Sequence, residues 1–153
     1  MAILEGGRIL QVGTPREVYG RPRRKTVAHF IGETAFIPGR VLGVQGDRVV
    51  VQTAAGRFEG VLGDPAEKPA VDAEVTVSIR PECWTLGHEA RGQNSVPGRI
   101  GESIYLGEVA QYAFVSGGTT LKIFELNPRF VGHASRGELF ASVDPEDVVV
   151  LSA

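Results

Sequence analysis

Arg80-Pro81-Glu82 sets a guanidinium and a carboxylate on either side of a rigid residue, and Cys83 and Trp84 follow at once. Residues of these types could form an ion pair, fix a turn or meet a partner. Pro81 holds the residue before it extended and favours a turn. Arg80 and Glu82 are therefore expected to clamp that turn or to face a partner surface. The clamp is the simpler reading, because ion pairs at strand ends often only fix geometry. Trp84, the only tryptophan, reads as core filling; an exposed anchor at a dimer contact is the sharper alternative. In Tyr105-Leu106-Gly107, Gly107 more simply permits a bulge or turn than touches a ligand.

Other chemistry finds little support. Ser78, Ser95, Ser103, Ser116, Ser135, Ser142 and Ser152 lie in no nucleophile-elbow setting. His29, His88 and His133 are too dispersed for metal-ligand spacing, and one cysteine cannot build a thiolate site. They read as a helix residue (His29) and two loop residues. Glu82, Glu102, Glu108 and Glu125 read as solvated carboxylates. No Gly-x-x-x-x-Gly-Lys-Ser/Thr loop is present to cradle a nucleotide's phosphates. These residues argue for no catalytic, cofactor-binding or metal role.

The elements that must position these groups follow from the totals and the pattern. The 153 residues suit one domain or two very small ones. Hydrophobic residues make up 42% and charged residues 22%, ordinary for a soluble globular chain. Twenty glycines and nine prolines between Val/Ile-rich runs favour turns and strands. A net charge of −2 gives no reason to expect nucleic acid, and Arg21, Arg23, Arg24 and Lys25 read as a solvated helix face. The lone Cys83 fits a reducing compartment. No apolar run approaches the ~20 residues of a membrane span.

Residues 3–12 read as a hairpin turning at Gly6-Gly7. Thr14-Pro15-Arg16-Glu17 opens a short helix with a capping box that ends at Gly20. A second helix is expected over 22–31, with Val27, Phe30 and Ile31 on one buried face and Gly32 as its C-terminal stop. From Phe36 the pattern turns to β, with strands read at 49–51, 75–79, 109–115, 121–126, 139–143 and 148–151. Turns are read at Gly46-Asp47 and Gly117-Gly118, and loops over 63–72 and 87–95. The β region also looks duplicated. Pro38-Gly39-Arg40-Val41 recurs as Pro97-Gly98-Arg99-Ile100, and Ser78-Ile79-Arg80-Pro81-Glu82 recurs as Ser142-Val143-Asp144-Pro145-Glu146. Two small β units sharing a core, in an open or barrel-like fold, are the simplest reading.

One resemblance ties these features together. Gly7-Arg8-Ile9, Gln11-Val12-Gly13-Thr14-Pro15, Glu17-Val18-Tyr19, Pro22, Val27-Ala28 and Phe30-Ile31-Gly32 resemble the end of the ATPase domain of ABC importers. The subgroup is the one serving spermidine/putrescine, iron(III) and sugars. Ile79-Arg80-Pro81-Glu82, Tyr105-Leu106-Gly107, Leu121 to Asn127 and Pro145 to Leu151 are similar to the TOBE domain that follows there. Ala35 departs from the family, which often carries Asn after Gly-Glu-Thr. The resemblance implies a mainly β, OB-fold-like barrel (34–153) preceded by the short helical tail of an ATPase domain (1–33). It further implies a chain that lacks the ATP and Mg chemistry of its parent and sits peripherally on the cytoplasmic face of the inner membrane. Implied partners are a second copy, paired through the C-terminal domain, the transporter's membrane subunits, and a small-molecule regulator. Possible interface positions are Arg80, Pro81, Glu82, Trp84, Tyr105 and Gly107. The Tyr105 motif favours the polyamine or iron(III) branch over the sugar branch. A stand-alone module binding an oxyanion or metabolite is the competing expectation.

Overall fold

The computed structural model describes residues 1–128 and 138–153. His133, expected as a loop residue, and Ser135, expected in no nucleophile setting, lie outside the described residues. Strands β1 (Ala2–Glu5) and β2 (Arg8–Val12) form the N-terminal hairpin. Gly6 and Gly7 turn it with φ of 57° and 77°, a conformation costly for other residues. Helix α1 (Pro15–Gly20) starts as its sequence dictates: the Thr14 hydroxyl accepts from the Glu17 N–H, and the Glu17 carboxylate accepts from the Thr14 N–H at 2.8 Å.

Helix α2 spans Lys25–Ile31, later than expected, after an extended, uncapped Arg24. Its buried residues are Val27 and Ala28, while Phe30 is 75% exposed. The expected Val27–Phe30–Ile31 face is thus wrong at Phe30. This two-turn helix points Val27 at Ile3 and Val18 and Ala28 at the β domain, which leaves Phe30 on the far flank.

Ten strands follow among the described residues: β3 (Ala35–Gln45), β4 (Arg48–Thr53), β5 (Arg57–Leu62), β6 (Glu74–Ile79), β7 (Thr85–Gly87), β8 (Ser95–Tyr105), β9 (Val109–Ser116), β10 (Thr119–Leu126), β11 (Leu139–Ser142) and β12 (Val149–Ser152). Strands β12-β5-β4-β3-β6 close a barrel, and β10-β9-β8-β11-β7 form a second five-stranded sheet. Two short 3-10 turns, η1 (Pro81–Cys83) and η2 (Pro145–Asp147), carry the chain between them. After η1 the chain leaves the barrel and pairs β7 with β11; after η2 it returns and places β12 between β5 and β6. Each unit is therefore completed by a strand from the other half of the sequence. Closing one edge with a distant strand removes an unpaired sheet border.

The duplication is visible in backbone detail. The β3–β4 ladder slips between Val41 and Gly43, and the β8–β9 ladder slips between Ile100 and Glu102, the matching positions of the repeat. Gly39 and Gly98 match as well: a Cβ would lie 2.4 Å from Val51 at the first and 2.3 Å from the Val115 carbonyl at the second. One apolar core runs through both units, from Val41, Val49 and Phe58 to Tyr112, Phe114 and Ile123.

Candidate functional site

The site grows from the sequence of the two η turns. Both open with proline, which fixes φ and favours a tight turn at a strand end. The residues before the prolines then diverge. Asp144 caps its own turn, accepting from the Glu146 N–H at 2.9 Å. Arg80 makes no such cap and reaches away from η1. Its guanidinium donates to the backbone carbonyls of Tyr19 and Glu33, both at 3.2 Å, and lies 4.0 Å from the centre of the Tyr19 ring. Two carbonyl acceptors and a ring face suit the planar fork of arginine and not the point charge of lysine.

Glu82 and Glu146 complete the grip. The Tyr19 hydroxyl donates to Glu82. Arg21 donates to the Glu146 carboxylate at 2.5 Å and to its carbonyl at 2.7 Å, and Arg48 of β4 holds the same carboxylate. Gln11 of β2 ties Arg21 and Arg23 to the hairpin, donating to the Arg21 carbonyl and accepting from the Arg23 N–H, both at 2.9 Å. Lys122 of β10 pairs with Glu33. The stretch leaving α1 is thus held by both repeats, and the loop after α2 by η1 and the second sheet. Apolar packing adds to it, since Ala28 sits on Val149 and Leu151, with Phe36 against them. The exposed ion pairs contribute about 0.2–1 kcal/mol each; the buried Arg80 contacts weigh more.

The electrostatics follow the packing. Burial, reinforced by Glu82, pushes the Tyr19 phenol up to about 12, so Tyr19 remains a hydrogen-bond donor. Burial, with Asp147 nearby, pushes the Cys83 thiol up to about 11. Burial also raises the Asp147 carboxyl, with Asp144 adding to it. No group of three metal-ligating side chains occurs among the described residues.

The sequence-derived positions separate into two places. Arg80, Pro81 and Glu82 meet the connecting segment. Trp84 is 4% exposed and packs edge-on against Phe58 at 5.9 Å, so the exposed-anchor reading is corrected: its size makes it a core plug where the chain crosses between units. Tyr105 (65% exposed) and Gly107 (φ 89°) line a shallow hollow with Glu108, Asn127 and Pro128, apart from the grip. Gly32 caps the C-terminus of α2, as expected. Its backbone is extended, and it matters because a Cβ there would come 3.0 Å from Arg80 Nη1. Sequence reasoning missed Tyr19 as the partner of Arg80 and Glu82, and it missed the Arg21–Glu146 pair. The signal for Glu146 lay in the Pro-Glu repeat; nothing in sequence pairs Tyr19 with a residue 63 positions away.

The class defined by this architecture is an OB-type β domain in two strand-exchanged halves, joined to a gripped helical segment. Residues 77–151 match the TOBE domain family, and this part of the chain belongs to it. It is 38% identical over 146 residues to the spermidine/putrescine import ATP-binding protein PotA of Pseudomonas fluorescens, covering 92% of this chain and 38% of that protein. It is 38% identical over 113 residues to PotA of Rubrobacter xylanophilus, covering 73% of this chain and 29% of the relative. The Fe(3+) ions import ATP-binding protein FbpC of Rhizobium etli is 32% identical over 123 residues, covering 80% of this chain and 33% of the relative. The chain therefore spans about a third of the length of these relatives. Among solved structures, the cytoplasmic molybdate-binding protein ModG superposes with a TM-score of 0.66 at 14% identity, covering 78% of this chain and 96% of its own. That likeness is one of fold. No helix among the described residues is long and apolar enough to cross a membrane.

Proposed function

We propose that this chain is the C-terminal accessory part of an ATP-binding subunit that drives import of a small solute, on the polyamine or iron(III) side of the family. Residues 1–33 act as the tail of the ATPase domain and 34–153 as the regulatory domain. The observation that carries the reading is the double grip on Tyr19 and Arg21, which ties the helical segment to the β domain at two points. A regulatory domain must be joined stiffly to what it regulates, and two pseudo-equivalent carboxylates achieve that. Leu4, Ile9, Val12 and Phe30, each at least 63% exposed, offer an apolar outer face on the N-terminal segment that suits packing against the rest of an ATPase domain.

In this reading the β domain keeps two subunits associated while their ATPase parts open. It receives regulatory signals, and the assembly sits on the cytoplasmic face of the membrane beside the transporter's membrane subunits. The chain itself hydrolyses nothing; ATP and Mg belong to the remainder of the subunit. Titration of this chain with ATP is expected to give no saturable binding, and micromolar affinity would overturn the reading. In a complete subunit of this kind, deleting residues 34–153 should weaken dimerisation while leaving ATP binding intact. The competing reading, a free-standing oxyanion or metabolite module, has the ModG-like fold in its favour. A screen of oxyanions, polyamines and sugars for saturable thermal stabilisation separates the two.

A further inference from the structure

Arg80 is the one charged side chain among the described residues that is buried, at 8% exposure, and no described carboxylate lies within ion-pair distance of it. Buried charges are ordinarily matched by an opposite charge. The Tyr19 and Glu33 carbonyls and the Tyr19 ring supply dipoles and leave the positive charge uncancelled. A cleft of about 200 Å³ opens beside this guanidinium, between α1 and the barrel. Arg16, Ser78, Cys83 and Asp147 also line it. Arg16 is exposed and makes no ion pair with a described residue, so two arginines without carboxylate partners border one small hollow. Asp147 is the opposing charge, and it lies within the influence of Arg21.

We propose that this cleft binds a small oxygen anion, a carboxylate or a phosphate group, held by Arg16 and Arg80. The volume is several times that of a water molecule and suits such a group. Guanidinium groups present paired donors that match carboxylate and phosphate oxygens. An occupant would lie between α1 and the barrel, at the point where Arg80 grips the Tyr19 carbonyl, and so would stiffen the connection. The inference rests on the cleft's own chemistry and stands whether or not the transport reading holds.

Cys83, the sole cysteine, lines the cleft and reports on it directly. The rate of its alkylation by iodoacetamide in the full chain is measured with potassium phosphate, potassium acetate or potassium chloride at matched ionic strength. Saturable slowing of fivefold or more is expected with phosphate, acetate or both, beyond any effect of chloride. Slowing by phosphate alone assigns a phosphate group, and by acetate alone a carboxylate. The effect should vanish in Arg16→Gln, whose side chain lies outside the grip and whose thermal midpoint should match the parent's without added anion. The same anions should raise the melting midpoint of the parent and not that of the variant. No protection beyond chloride, or protection that persists in Arg16→Gln, overturns the proposal.

Discussion

Glu82 and Glu146 stand at the same place in the two sequence repeats, 64 residues apart, and hold residues only two apart, Tyr19 and Arg21. An internal duplication thus converges on one short stretch of chain. The two halves are already interlocked by exchange of β7 and β12, so a pull on either carboxylate loads both. The joint resists twisting as well as separation, because two points of attachment fix an orientation that one cannot.

Tyr19→Phe removes the hydroxyl bond to Glu82 and keeps the ring on Arg80. It should cost about 1 kcal/mol in chemical denaturation. Arg80→Ala loses the ring contact and leaves two carbonyls without their donor, and should cost about 2–3 kcal/mol. A double-mutant cycle of Tyr19→Phe with Glu82→Ala should show the two acting through one bond, with the double variant little worse than the worse single.

Asp147→Asn should stabilise the protein at neutral pH. The folded state raises this carboxyl, so it favours the protonated form relative to the unfolded chain. Its contribution is present below the unfolded value of 3.8 and is lost as pH rises through the raised folded value. The gain from the amide should therefore appear at pH 7 and disappear as the pH falls below 4 in a series of melting curves.

Tyr19 gives the alkaline counterpart. Its phenol is raised from 10.0 to about 12, so the folded state again favours the proton. The stability advantage of the parent over Tyr19→Phe should be constant below pH 10 and fall between pH 10 and 12. An advantage that stays constant through that window would show that the hydroxyl does not need its proton.

Gly98→Ala should destabilise by at least 1–3 kcal/mol, the usual cost of overpacking. Its Cβ would meet the Val115 carbonyl at 2.3 Å and the Phe114 ring at 2.7 Å, and the backbone atom cannot yield without breaking the ladder. Gly101→Ala, with its nearest neighbour at 3.4 Å, is the tolerated control.

Much of this was legible in the sequence because it is local. Thr14-Pro15-Arg16-Glu17 specifies its cap by spacing, and Gly6-Gly7 and Gly117 specify their turns by the positive φ they allow. The two-unit β fold was legible through the repeat. Strands β3, β5, β7 and β8 were not: β3 and β8 each carry a Pro-Gly pair and slip in register midway, β5 carries Gly60 where the chain of Val148 passes closely, and β7 is three residues long. Such strands exist because of partners far away in sequence. The same holds at the site. Pro81 announces a turn, yet whether Arg80 faces its own turn or a distant carbonyl depends on where α1 lies. Phe30 was misread because the 3.6-residue period ranks a face by hydrophobicity, while the actual burial follows what a two-turn helix rests on.

If Glu82 and Glu146 couple the helical segment to the β domain, amide hydrogen exchange on Glu82→Ala/Glu146→Ala will register the loss of that coupling. Exchange across residues 15–31 should accelerate at least tenfold while strands β3, β4, β8 and β9 keep their protection. Unchanged exchange in residues 15–31, or acceleration spread evenly over the strands as well, would contradict the coupling.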